Sequence, residues 1–157
     1  MINHEEVMQL AAAEAEKTMS AGIGGPFGAA VVKDGEIISV ASNTVLGDHD
    51  PTAHAEVNAI RKACKKMGTH DLSGCEIYAT GSPCPMCMSS IIWANIKKVY
   101  ISGMPEDADA IGFRDRFMYN FIEDGCRDEN VVKLEKLDRE TALKLYRKYH
   151  EKGSEIY

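Results

Sequence analysis

Apolar positions near the start of the chain recur at helical spacing: Val7, Leu10, Ala11 and Met19 share one side, and Asn3 followed by Glu6 reads as a capping box. The pattern predicts a helix that opens after Asn3 and runs to about Ser20. Residues 21–28 then carry four glycines and Pro26, which break regular structure and predict a loop. Gly28 to Val32 and Glu36 to Ala41 are rich in strand formers and flank Lys33-Asp34-Gly35, a strong hairpin signal. Asn43 to Asp50 is polar and loop-like. Pro51 precedes a helical stretch reaching about Met67, with Val57, Ile60 and Cys64 on one face and Gly68 to close it. Glu76 to Thr80 reads as a strand, Pro83 to Ile96 as a helix with Pro85 in its first turn, and Lys97 to Ser102 as a strand. Trp93, on that last helix, reads as core packing.

Beyond Gly103 the periodicity weakens. Gly112 to Asp124 reads as helical, Val131 to Leu137 as a fifth strand and Arg139 to Lys152 as a helix. The β-α-β-α-β order with short connections implies crossover units, hence a mixed five-stranded sheet with helices on its faces, an α/β fold.

Composition narrows the function. A length of 157 residues, with 45% hydrophobic and 27% charged positions, fits one globular domain with a substantial core. No apolar run approaches the roughly 20 residues of a membrane helix, and the opening MINHEEVMQL lacks the basic and apolar regions of a signal peptide. Membrane association is therefore not expected, and the expected address is the cytoplasm. Eighteen Lys and Arg against 24 Asp and Glu leave a net charge of −6, which disfavours a broad grip on nucleic acid. A small uncharged substrate fits better.

An odd number of cysteines, five, in a chain without signs of secretion argues against a disulfide framework. Cys84-Pro85-Met86-Cys87 instead suggests metal binding or redox chemistry. Cys84 and Cys87, three apart at a helix start, can reach one ion as thiolates, and His54 could supply a third ligand. Such a set leaves a fourth zinc position for water, as catalytic sites require. Glu56, two residues from His54, suits a proton shuttle beside that water, provided the segment sits where helical geometry has not yet begun. A structural zinc completed by His49, His70 or Cys75, or a redox pair, are the alternatives; neither uses Glu56.

His54 and Glu56 followed by Pro83, Cys84 and Cys87 match the His-x-Glu and Pro-Cys-x-x-Cys signature of zinc nucleobase deaminases. With GIGGPFGA at 22–29, DPTAHAE at 50–56, AIRKAC at 59–64, PCPMC at 83–87, GF.D.F.Y at 112–119 and the terminal Tyr157, the chain resembles the small bacterial guanine deaminases. The tRNA adenosine deaminases share HDPTAHAE and the cysteine segment but not residues 104–157. The resemblance implies a three-layer α/β/α cytidine deaminase-like fold and one Zn²⁺ per subunit with a bound water or hydroxide. It implies conversion of guanine and water to xanthine and ammonia by attack at C2. Phe27, Asn43, Ala55, Asp115 and Tyr157 are the substrate contacts it implies, and a homodimer exchanging a C-terminal segment of about 104–157 is the partner arrangement. By residue type alone, Phe27 also suits a core, Asn43 a turn, and Asp115, between Arg114 and Arg116, a solvated charge. Asn43 could offer a base both a donor and an acceptor, whereas an ionised Asp115 only accepts, which favours guanine over adenine. Ser82 and Arg114 depart from the usual family residues, so cytosine, guanosine, another aminated heterocycle and tRNA adenosine stay open as substrates.

Overall fold

A computed structural model describes residues 1–157. The chain divides into two compact units, Met1–Asp115 and Arg116–Tyr157. The first holds a mixed four-stranded sheet in the order β2-β1-β3-β4, built from β1 (Gly28–Lys33), β2 (Glu36–Ser42), β3 (Cys75–Gly81) and β4 (Lys98–Gly103). β1 and β2 form the expected hairpin: Asp34 and Gly35 both take positive φ, +49° and +79°, the type I′ geometry that matches strand twist. β1 lies at the centre, antiparallel to both β2 and β3, and its Ala29-Ala30-Val31-Val32 run is buried on both faces. β3 and β4 are parallel, joined by α4 (Pro85–Trp93) as a crossover helix.

Alternation along β1 divides the core. Ala30 and Val32 join Val7 and Ala11 of α1 (His4–Ser20) and Tyr78, whereas Ala29 and Val31 join Ala55, Ala59 and Ala63 of α3 (Ala55–Met67) and Ile91 of α4. Helices therefore cover both faces, α1 on one and α3 with α4 on the other. Both α1 and α3 present alanines at four-residue spacing, so their backbones come close to the sheet. At Gly28 the approach is so tight that a Cβ would stand 1.9 Å from the Ala11 carbonyl oxygen. The Ser39 hydroxyl of β2 donates to the Ala59 carbonyl of α3 at 2.8 Å, which fastens the opposite layer.

Helix ends follow the local chemistry. The Asn3 side chain accepts from the Glu5 and Glu6 N–H groups, and Gly68, at φ +68°, caps α3 in the left-handed conformation. Several expectations are corrected. Asn43 to Asp50 contains a short helix, α2 (Val45–Asp48), which stops at a left-handed His49. α4 ends at Trp93, and that side chain is 70% exposed because Cys87 and Ile91, four apart, already define the buried stripe. A further short helix, α5 (Pro105–Ala110), follows β4, opened by Pro105 with Glu106 and Asp107 in its first turn.

The fifth strand is absent. Val131 to Leu137 pairs with no strand, and Val132, Leu134 and Leu137 are exposed. An apolar and polar alternation makes a strand only where a ladder partner accepts its backbone. In its place Lys133 and Glu135 pair locally at 2.6 Å. The second unit carries α6 (Arg116–Glu123) and α7 (Arg139–Glu151), the latter capped by Asp138 accepting from the Thr141 N–H. No side chain in this unit is fully buried. No helix of the chain is long and apolar enough to cross a membrane.

Because a Cβ at Gly28 would run into the α1 backbone at Ala11, Gly28→Ala should lower folding stability by about 1–3 kcal/mol, the usual cost of overpacking. A urea unfolding midpoint indistinguishable from that of the parent would refute that account of the packing.

Candidate metal centre

Two helix starts on the α3/α4 face of the sheet converge. His54 is the N-cap of α3 and Cys84 the N-cap of α4; both keep extended backbones, with ψ of 157° and 171°. His54 and Glu56 thus straddle the change from extended to helical geometry, which lets residues two apart serve one site. Cys87 lies three residues past its N-cap, inside the first turn that Pro85 opens. His54 Nδ1 is 3.6 Å from Cys84 Sγ and 3.5 Å from Cys87 Sγ. The ligand atoms of all three lie within 4.8 Å of one another, so the trio could hold a metal ion. Two sulfurs and one imidazole suit zinc, and three protein ligands leave a position for water. Cys64, Cys75 and Cys126 are free thiols outside this cluster.

The electrostatics divide the two cysteines. Cys84 is held down at about 4, first by its hydrogen bond from the Cys87 thiol, then by His54 and the Cys87 N–H, against the effect of burial. Cys87 is pushed up, first by the Cys84 sulfur and then by burial and the nearby Glu56. His54 is raised, first by its hydrogen bond with Cys84, while burial opposes. The metal-free trio therefore pairs a Cys84 thiolate with a Cys87 thiol and a readily protonated His54. Glu56, 6% exposed, is raised by burial, with its hydrogen bond to Cys87 opposing. A carboxyl so placed holds its proton more firmly than an exposed one, which suits a group that must take up and return a proton.

Phe27, Asn43 and Phe113 belong to the same unit as the trio. Phe27 packs partly buried against the core, and Gly81, three residues before Cys84, lies under its ring: a Cβ there would be 3.1 Å away. Phe113 meets Phe27 edge-on, at 5.0 Å between centroids and 90° between planes. The Asn43 N–H donates to the Phe27 carbonyl at 2.9 Å. Asn43 Oδ1 already accepts from the Gly25 N–H at 3.3 Å and the Val45 N–H at 3.1 Å. Both lone pairs are thereby engaged, so Asn43 can offer a ligand its amide hydrogens but not the acceptor expected from residue type. The Ala55 side chain is wholly buried in the core, which leaves only its backbone to face a ligand. Asp115 is half-buried at the end of the first unit, while Tyr157 belongs to the second and is exposed. Phe113 was visible in the sequence only as part of GF.D.F.Y, because its partner is 86 positions away.

Residues 1–103 match the cytidine and deoxycytidylate deaminase zinc-binding region. The chain belongs to this family of zinc deaminases. It is 45% identical to the guanine deaminase of Bacillus subtilis over 130 residues, 83% of each chain. The X-ray structure of that organism's guanine deaminase superposes with a TM-score of 0.89 at 41% identity, covering 96% of this chain and 95% of the other. The tRNA-specific adenosine deaminase of Aquifex aeolicus is 49% identical, but over 79 residues, 50% of this chain and 52% of that protein. Family membership makes the zinc-deaminase reaction class plain and leaves structural zinc and redox readings behind.

Metal binding requires both sulfurs as thiolates and His54 neutral at the coordinating nitrogen. Since Cys84 has already lost its proton, zinc uptake at pH 7 should release between about one and two protons, from Cys87 and in part from His54. Affinity should fall as pH falls, because zinc must displace those protons against a rising proton concentration. Calorimetry in buffers of differing ionisation enthalpy counts the protons; release near zero would contradict the assigned charge states.

Proposed function

We propose that this chain hydrolyses guanine to xanthine and ammonia at a zinc held by His54, Cys84 and Cys87, with Glu56 as the proton shuttle. The observation that carries the reading is the buried Glu56 carboxyl in the first turn of α3, two residues from His54 and beside three convergent metal-ligating side chains. Likeness to the guanine deaminase of Bacillus subtilis over 83% of both chains supports the choice of base.

When bound, zinc supplies Lewis acidity, which makes water a nucleophile at neutral pH. The remaining tasks fall to the chain. Glu56 takes the proton of the attacking water as the C2–O bond forms and the C2=N3 electron pair moves to N3; it then returns the proton to the 2-amino group, so that the C2–N bond breaks, the C=N bond is restored and ammonia leaves. Its burial keeps the carboxyl basic enough for that exchange. Phe27 supplies a flat apolar wall for the purine, Asn43 donates to an acceptor on it, and the Ala55 backbone lines the helix start. Asp115 accepts from the N1–H and the 2-amino group of guanine; adenine presents a bare N1 acceptor to the same carboxylate and is disfavoured. Tyr157 contributes an aromatic ring that closes the site.

The working form in this reading is a homodimer that exchanges residues 104–157. Its support is the absence of any fully buried side chain in the second unit, where Phe117, Leu145 and Tyr146 are exposed. So small a unit cannot bury a core of its own, and exchange is a low-cost way to cover it. Light scattering should give about twice the chain mass of 17.3 kDa; a monomer at micromolar concentration would remove this part of the proposal.

Ammonia release by the zinc-loaded protein should be seen with guanine and be far weaker with adenine, cytosine, guanosine or an adenosine-bearing tRNA loop. Glu56→Gln should keep its zinc and lose about 10²–10⁴-fold in kcat, the usual contribution of a positioned acid-base group. Turnover of another member of the panel in place of guanine would overturn the substrate, and a fully active Glu56→Gln would overturn the mechanism.

A further inference from the structure

Asn58 joins the two segments that feed the site, the end of β2 and the start of α3. It lies in the first turn of α3, where its backbone N–H donates to the His54 carbonyl at 2.9 Å. Its side-chain nitrogen donates to the Ser42 carbonyl at 2.9 Å, to Thr44 Oγ1 at 2.9 Å and, more weakly, to the Ala53 carbonyl at 3.3 Å. Carbonyl oxygens only accept, so the amide must present nitrogen here. Ser42 immediately precedes Asn43, and Ala53 immediately precedes His54. Two further bonds tighten the joint: the Thr44 N–H donates to the Ala53 carbonyl at 3.0 Å, and Thr18 Oγ1 donates to Ser42 Oγ at 2.9 Å.

We propose that Asn58 is a positioning residue that sets the spacing between Asn43 and His54, and hence the placement of the base relative to the metal. The inference rests on the deaminase reading above for its kinetic consequence. The Asn58 amide spends its hydrogen bonds on Ser42, Thr44 and Ala53, so it acts through the segments it ties. With its amide removed, the end of β2 and the residue before His54 are joined only by the Thr44 N–H. Placement errors of about 1 Å are enough to cost up to about 10²-fold in rate or binding at such sites.

The test uses the full-length, zinc-loaded protein with Asn58→Asp, which keeps the shape but cannot donate when ionised, and Asn58→Leu, which is neutral and cannot donate at all. Both variants should lower kcat/KM for guanine about tenfold while zinc content stays at the parent value. Both should also speed hydrogen exchange of the Thr44 N–H about tenfold, with the amides of α1 and β1 unchanged. The proposal is overturned if kcat/KM and Thr44 exchange both stay at parent values. It is equally overturned if exchange rises throughout the chain and kcat falls with the folded fraction, since that marks a purely structural role. If the parent protein does not turn over guanine, the substrate proposal fails by itself; the exchange measurement needs no substrate and still decides whether Asn58 holds the joint.

Discussion

The functional arrangement depends on two helices starting at the same place before either is fully helical. His54 and Cys84 are both N-caps in extended conformation, and neither spends its side chain on capping the helix. Their donor atoms are thereby available to each other across the gap between α3 and α4. The sheet order makes the meeting possible: β2 and β3 both pair antiparallel with β1 between them, so they run in the same direction. The helices following β2 and β3 consequently begin at the same end of the sheet and on the same face. This is the general position at which open α/β folds place their sites, beyond the carboxyl ends of parallel strands.

Close packing holds that geometry. Ala55, Ala59 and Ala63 let α3 lie against the sheet, and the Ser39 hydroxyl ties β2 to the helix at the Ala59 carbonyl. On the other face, α1 rests its Val7 and Ala11 on β1, and a wholly buried Tyr78 stacks on Tyr100 at 4.5 Å between centroids. Burial pushes the Tyr78 hydroxyl up to about 12, and His4 Nδ1 satisfies it at 2.6 Å. The sheet is thus a rigid floor with the chemistry on one side and an independent packing layer on the other.

Charge within the site is unevenly distributed. Cys84 and Cys87 differ by only three positions, yet one holds a negative sulfur and the other its proton, because each acts on its neighbour through their shared hydrogen bond. Glu56 joins that pair from α3 while being nearly excluded from water. Burial of a carboxyl next to sulfur ligands is unfavourable for a charged group, and that cost gives it the proton affinity a shuttle needs. The resident charges therefore favour a cation between them and a mobile proton beside it.

Much of the first unit was legible along the chain because its signals are local. Asp34-Gly35 specified the hairpin by its turn chemistry, Gly68 ended α3, and His54, Glu56, Cys84 and Cys87 declared the zinc chemistry by type and spacing. The sequence determined these because caps, turns and ligand spacing act over a few residues. Other features needed the tertiary structure. Val131 to Leu137 had the pattern of a strand but no ladder partner, and Trp93 was apolar but lay off the buried stripe of a helix shorter than its pattern suggested. Asn43 offered two kinds of hydrogen bond until Gly25 and Val45 engaged its oxygen, and Asn58 was one more polar helical position until the fold brought Ser42, Thr44 and Ala53 to its amide. In each case the deciding partner lies on another element, or in a backbone group without a sequence signature, so only the folded chain could select among the readings that residue type allowed.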